Sequence, residues 1–251
     1  NILNEYVDYF VIVEGNKTWQ NNPKKLRFNI DKFPNFKKKI IYVPVEDMPD
    51  GDDPYLRENF QRNAILKGLI SSSENDLVII SDLDEIPNPD SIQKFKKEMR
   101  YAAFKQNHYY YKINLQSTKN PYWYGSRICV QKFLKSPQWL RNLKFKKRPF
   151  WRIDKIRLNN IIENGGWHFC NLKSAEQLLY KYQNLCETND PYHFKEKIDL
   201  KYLQIDEIKK KIDLGDDIIG RDEKYKASKI DKTFPNYILK NVDKYKDWIV
   251  N

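Results

Sequence analysis

The chain has 251 residues, a formal net charge of +11, and 31% charged residues beside 14% aromatic ones. That length can bury one large core or two small ones, and the aromatic content excludes a disordered chain. No stretch approaches the ~18 apolar residues that suggest a membrane-spanning helix, and no signal peptide is visible. The basicity is weak evidence for any partner, because the abundant Lys, Asn, Ile and Tyr all have A/T-rich codons. A positive surface still draws anionic partners such as nucleotide-sugars or phospholipid-linked acceptors, which allows peripheral membrane contact. No helix-turn-helix, zinc-finger or RNA-binding signature points to nucleic acid. Cys129, Cys170 and Cys186 have no metal-site spacing, which favours a reducing compartment or at most one disulfide. The first residue is Asn1 rather than Met, so a segment ahead of it is expected to have been removed or left out.

In chain order, Tyr9–Val13 reads as a buried strand ending at Glu14, Gly15 and Asn16, where Asn16-Lys17-Thr18 also forms a glycosylation sequon. Ile40–Val43 is a second strand, closed by Pro44. Leu56, Phe60, Ala64, Leu66, Leu69 and Ile70 recur at helical spacing, predicting a helix over 55–71. The apolar run Leu77–Ile80 predicts another strand, and Asp90 or Ser91 caps a helix through about Arg100. His108–Asn114 is extended, and 119–167 reads as irregular structure and short strands. Ser174-Ala175-Glu176-Gln177 resembles a capping box opening a helix through about Leu185. Past Tyr192 the chain is lysine-rich and partly helical. Strands alternating with helices predict an α/β fold with a mostly parallel sheet flanked by helices, in one domain.

Three groups of residues carry chemistry. Asp82, Asp84 and Glu85 follow the Leu77–Ile80 strand, and Pro87 stops its continuation. Residues two apart in an extended segment point the same way, so both aspartates can offer hard oxygen ligands to Mg²⁺ or Mn²⁺ carrying a diphosphate. A solvated acidic turn is the competing reading. Gln61-Arg62-Asn63 sits on the preceding helix, where Arg62 suits a phosphate and Asn63 a base or ribose; an exposed Arg and a mid-helix Asn would be the bland alternative. Gly165-Gly166-Trp167-His168-Phe169-Cys170 places His168 beside paired glycines that tolerate close approaches. His168 is either a third metal ligand or a core histidine bonded to backbone. His108 reads as structural and His193 as exposed.

The acidic strand end and the Arg-Asn helix together resemble the nucleotide-sugar half of GT-A glycosyltransferases. Asp8–Glu14, Tyr55-Leu56-Arg57, Asp82–Pro87, Gly166-Trp167-His168 and Tyr237–Asn241 extend the likeness across nearly the whole chain. In that order they resemble glycosyltransferase family 17. The resemblance implies a Rossmann-like GT-A domain over 1–251, with a nucleotide-sugar-binding half at 1–115 and an acceptor-side, closing half at 116–251. It also implies a UDP-sugar donor, foremost UDP-N-acetylglucosamine, a divalent metal and inversion at the anomeric carbon. Members usually carry a further strand and helix ahead of the position of Asn1. Those, and the membrane anchor of animal members, are not found here, so the expectation is a soluble cytoplasmic enzyme of microbial or viral type.

On that reading Asp82, Asp84 and His168 hold the metal. Glu14, Asn16, Arg62, Asn63 and Asp82 contact the donor, and Glu85 is the first choice of catalytic base. Glu14, Glu163 and Asp190 are alternative bases. Acceptor binding falls to Tyr122, Trp123, Tyr124, Trp139 and Trp151, with Lys144, Lys146, Lys147 and Arg148 for phosphate. A nucleotidyltransferase also needs paired carboxylates, though no Gly-rich phosphate loop is present. A basic, non-enzymatic binding module is the third reading.

Overall fold

A computed structural model describes residues 1–145, 158–186 and 203–250. Trp151, Asp190, His193, Lys146, Lys147 and Arg148 lie outside the described residues. The strands in chain order are β1 (Phe10–Gly15), β2 (Ile40–Val45), β3 (Leu77–Ile80), β4 (Glu85–Pro87), β5 (Tyr101–Tyr110), β6 (Leu115–Ser117), β7 (Tyr122–Trp123), β8 (Arg127–Val130), β9 (Ile161–Cys170) and β10 (Tyr225–Ala227). The helices are α1 (Pro54–Asn63), α2 (Pro89–Ile92), α3 (Pro137–Arg141), α4 (Ala175–Asn184), α5 (Ile205–Asp213) and α6 (Asn236–Leu239). The chain divides into two compact units, one of Asn1–Tyr6, Ser71–Leu172 and Lys226–Asn251, the other of Val7–Ile70 and Lys173–Tyr225.

In the second of these units β1 and β2 pair in parallel, from Phe10 opposite Ile40 to Gly15 opposite Val45. Their apolar side chains form a core of Val43, Val45, Met48 and Ala64 with Val11, Val13, Trp19 and Ile41. Asp53 caps α1 by accepting from the Tyr55 amide at 2.9 Å, and Pro54 fits the first turn. The helix stops at Asn63 and continues as 3-10 turns over Ala64–Leu69, so the expected 55–71 helix is two elements. The capping box before α4 forms in both directions between Ser174 and Gln177.

The other unit is built on β5. Along one edge β9 runs parallel to it, from Ala103 opposite Ile161 to Tyr110 opposite Cys170. Along the opposite edge β8, β7 and β6 follow one another, all antiparallel. β3 adds antiparallel to β8, and β4 antiparallel to β9. The sheet is therefore mixed, which corrects the expectation of a mostly parallel one. Only residues 111–114 link β5 to β6, too short for the crossover of a dozen or more residues that a parallel return requires.

Two further expectations change here. The helix foreseen through Arg100 is α2 alone, capped by Asn88, followed by a 3-10 turn at Lys97–Met99. Phe95 is drawn into a core with Ala102, Phe104, Ile128, Val130 and Ile162, and Lys96 turns extended beside it. The stretch 119–167, read as irregular structure and short strands, holds the short β7 and β8 but ends inside β9, a strand ten residues long. Its Gly166 has φ +124°, and a Cβ there would stand 2.1 Å from the Ile86 carbonyl oxygen. The pairing register with β5 shifts just before it, so the glycine pair marks a bulge within a strand rather than its end.

Candidate functional site

Asp82-Leu83-Asp84-Glu85 is a β-turn, closed by the Glu85 amide donating to the Asp82 carbonyl at 3.0 Å. A turn replaces the extended geometry expected for the two aspartates, and each side chain meets its own partner. Asp82 accepts from Arg141 Nη2 at 2.6 Å, whereas Asp84 faces His168 Nε2 at 3.4 Å. Leu83 between them is fully exposed at 100%. The Asp82 and Asp84 side chains remain 40% and 33% exposed.

Glu85 begins β4 and is buried, at 4% exposure. Its Oε1 accepts from Trp123 Nε1 at 2.7 Å and Arg141 Nη2 at 3.0 Å. Oε2 accepts from Arg141 Nη1 at 2.7 Å, Ser126 Oγ at 3.2 Å and the Asp82 amide at 3.1 Å. Burial pushes this carboxyl up, but the Arg141 charge and the bonds from Arg141 and Trp123 outweigh it and hold it below its ordinary value. Two oxygens offer about four lone-pair sites, and five donors occupy them. Both oxygens of the expected catalytic base are thus fully hydrogen-bonded, and taking an acceptor's proton would require one of these donors to give way.

Local sequence explains how these partners arrive. Ser136 caps α3 by accepting from the Trp139 amide, Pro137 opens the helix, and Arg141 ends it. Gly125 lies between Trp123 and Ser126, where a Cβ would stand 1.8 Å from Glu85 Oε1. α3 falls within the stretch read as irregular structure and short strands, and nothing in the sequence marked Arg141 as the partner of the acidic turn.

His168 sits opposite Glu85 in the β4–β9 pair and opposite His108 in the β5–β9 pair. The two imidazoles stack with centroids 4.8 Å apart and planes 5° from parallel. Trp123 packs on both, at 5.1 Å from His168 and 5.4 Å from His108. Burial pushes His168 down, yet its contacts with Asp84 and Cys170 prevail and raise it to about 10. His168 Nδ1 is buried without a hydrogen-bond partner among the described residues. His108, expected to be merely structural, is its neighbour.

Of the remaining expected residues, Glu14, Asn16, Arg62 and Asn63 belong to the other unit, and Tyr122, Tyr124, Trp139 and Glu163 to the same unit as the acidic turn. Glu14 is clasped by the amides of Arg27 and Phe28 at 2.9 Å each, by Lys24 Nζ at 3.3 Å and by Tyr42 Oη at 3.1 Å. Burial raises its pKa, but the Phe28 and Arg27 amides and Lys24 overcome this and lower it. Asn16 Nδ2 donates to the Glu46 carbonyl at 2.7 Å, so the sequon amide is engaged within the fold. Arg62 pairs with Glu58 at 2.7 Å one turn back, and Asn63 ends α1. Among the proposed acceptor aromatics, Tyr122 carries Lys105 over its ring at 4.4 Å, Tyr124 meets Phe145 edge-on, and Trp139 packs edge-on to Tyr101. Glu163 pairs with Lys105 at 3.0 Å.

The half-exposed carboxylates of Asp82 and Asp84 are hard oxygen donors, the chemistry that Mg²⁺ and Mn²⁺ favour. His168, the partner of Asp84, adds a nitrogen donor beside that pair.

Comparison with known proteins converges on one kind of enzyme. The sequence profile of Glycosyltransferase family 17 matches residues 1–249. The beta-1,4-mannosyl-glycoprotein 4-beta-N-acetylglucosaminyltransferase of Rattus norvegicus is 22% identical over 289 aligned residues, covering 99% of this chain and 51% of the rat protein. The enzyme of the same name from Homo sapiens is 22% identical over 283 residues, covering 97% and 50%. The chain thus spans about half the length of the curated relatives it matches. No solved structure matches it. The relatives are mammalian, which overturns the expectation of a cytoplasmic enzyme of microbial or viral type. No helix among the described residues is long and apolar enough to cross a membrane.

Proposed function

The chain belongs to glycosyltransferase family 17, and from that premise we propose that it transfers N-acetylglucosamine from UDP-N-acetylglucosamine to a glycan hydroxyl, with inversion, on a GT-A-type domain. The observation that carries this reading is the acidic turn Asp82–Glu85, held in one shape by Arg141, Trp123 and Ser126. Relatives named as N-acetylglucosaminyltransferases support the choice of sugar.

Inversion is an in-line displacement: the acceptor oxygen bonds to C1 as the bond from C1 to the diphosphate oxygen breaks, and the acceptor's proton passes to a base. A divalent cation held by Asp82 and Asp84 would supply neutralisation of the charge that builds on the departing diphosphate. Arg141 contributes a fixed guanidinium at the same turn, and Glu85 keeps it in place. Trp123 ties that anchor to the imidazole of His168. His168 orients Asp84. Glu14, Asn16, Arg62 and Asn63 are proposed on the donor side within 1–115, and the exposed Tyr122 and Trp123 on the acceptor side within 116–251.

The test measures UDP release from UDP-N-acetylglucosamine with Mn²⁺ and a mannose-containing glycan acceptor. Asp82→Asn and Asp84→Asn should abolish transfer while the circular dichroism spectrum is retained. Pyrophosphate release from a nucleoside triphosphate and a sugar phosphate would instead identify a nucleotidyltransferase. Full activity of both variants in the presence of chelator would remove the metal from the reading.

A further inference from the structure

Behind the acidic turn, two buried histidines and a cysteine stand together, and sugar transfer uses only one face of one of them, the side of His168 that meets Asp84. His108 lies on β5, and His168 and Cys170 lie two apart on β9, so both β9 side chains leave the same face of the strand. The parallel register sets His108 beside His168 and Tyr110 beside Cys170. One ligand atom from each of His108, His168 and Cys170 falls within 4.8 Å of the other two. We propose that these three residues form a binding site for a zinc-class transition ion, separate from the carboxylates of Asp82 and Asp84.

The surroundings of the two imidazoles support this assignment. Metal-bound histidines almost always give their second ring N–H to a carboxylate or a backbone carbonyl, which fixes the tautomer. His108 Nδ1 is 3.1 Å from the Asn120 carbonyl oxygen, which places that ring's lone pair on Nε2. His168 Nε2 is 3.4 Å from Asp84, which leaves Nδ1, the buried nitrogen without a hydrogen-bond partner among the described residues, as the ligand atom. One carboxylate and one carbonyl therefore already hold the two rings from behind. The donor set also differs in kind from that of the turn. Two imidazoles and a thiolate select zinc-class ions, whereas paired carboxylates select Mg²⁺ or Mn²⁺.

Uptake has a geometric cost that makes it observable. A tetrahedral zinc shell with Zn–N near ~2.05 Å and Zn–S near ~2.3 Å has edges of about 3.3–3.6 Å. The three ligand atoms must draw inward, and one imidazole must turn out of the 5° stack. Trp123 packs against both rings, so its indole reports the change. As the metal bonds form, the thiol proton of Cys170 and the Nδ1 proton of the His168 imidazolium both leave to solvent.

The full chain, stripped of metal with chelator, is titrated with Co²⁺ as the probe. One equivalent should produce a thiolate-to-cobalt charge-transfer band and a shift in tryptophan emission, and Zn²⁺ should reverse the cobalt spectrum. The band should vanish in Cys170→Ser and persist in Cys129→Ser and Asp82→Asn. Asp84→Asn should weaken Co²⁺ binding about 10–100-fold, as expected when the carboxylate behind a ligating histidine is lost. In the unsubstituted chain, stoichiometric Zn²⁺ should protect Cys170, identified by mass mapping, from alkylation. A folded chain that gives no thiolate–cobalt band, or leaves Cys170 equally reactive with Zn²⁺, overturns the proposal whatever the outcome of the sugar-transfer assay.

Discussion

Glu85 is buried and Glu14 half-buried; both are strand carboxylates with lowered pKa values, and they are held in opposite ways. Glu14 is clasped chiefly by its own downstream loop, through the amides of Arg27 and Phe28 and the ammonium of Lys24, all 10–14 residues further along the chain. Glu85 is held by Trp123, Ser126 and Arg141, which lie 38–56 residues away. The first is a loop staple, in which a charge orders its own connection. The second is a junction where β4, β7, Ser126 just ahead of β8, and α3 meet at one carboxylate beside an exposed acidic turn. One charge gathers distant elements of the chain, and the other orders chiefly the loop that follows it.

The sharpest way to break this contrast is Arg141→Ala. It leaves Glu85 buried without its cation, and removing one partner of a buried pair costs about 3–5 kcal/mol. Urea unfolding measures it; a loss under ~1 kcal/mol would mean Arg141 is dispensable to the junction. Gly125→Ala forces a methyl group onto Glu85 Oε1 and Trp123 Nε1, and overpacking of this kind costs about 1–3 kcal/mol. Its loss should be shared by Trp123→Phe in a double-mutant cycle. Glu14→Gln should cost less, about 1–2 kcal/mol for lost charge-assisted hydrogen bonds. Hydrogen exchange should then accelerate at Arg27 and Phe28 while the Glu85 region stays protected.

A pH titration sharpens the same comparison. His168 is raised from 6.5 to about 10, so the imidazolium's contribution to stability is complete below about 6.5 and fades as pH climbs toward 10. Asp84→Asn should flatten that decline in chelated protein. Glu85 and Glu14 are lowered, so their contributions are present above the unfolded carboxylate value and are lost in acid. The smallest effect on stability belongs to Asp82→Asn. Its pair with Arg141 is 40% exposed on the Asp side, and such pairs contribute about 0–1 kcal/mol. A large destabilisation there would move Asp82 from the site to the framework.

Apolar runs determined part of the fold without help. Tyr9–Val13, Ile40–Val43 and Leu77–Ile80 each coincide with most or all of an observed strand, because a continuous β-branched run has few other ways to be buried. The Ser174–Gln177 box opened its helix because capping is satisfied within four residues. The acidic turn was legible as a chemical feature for the same local reason. What stayed hidden depends on partners far along the chain. Antiparallel pairing around β5, the bulge that carries β9 through Gly166, and the arrival of Arg141 on Asp82 and Glu85 are set by register between segments tens of residues apart. A side chain's type fixes what it can bond. Only the packed sheet decides which of the many available partners stands within about 3 Å, and that choice made Glu85 an anchor and gave His168 its stacked neighbour.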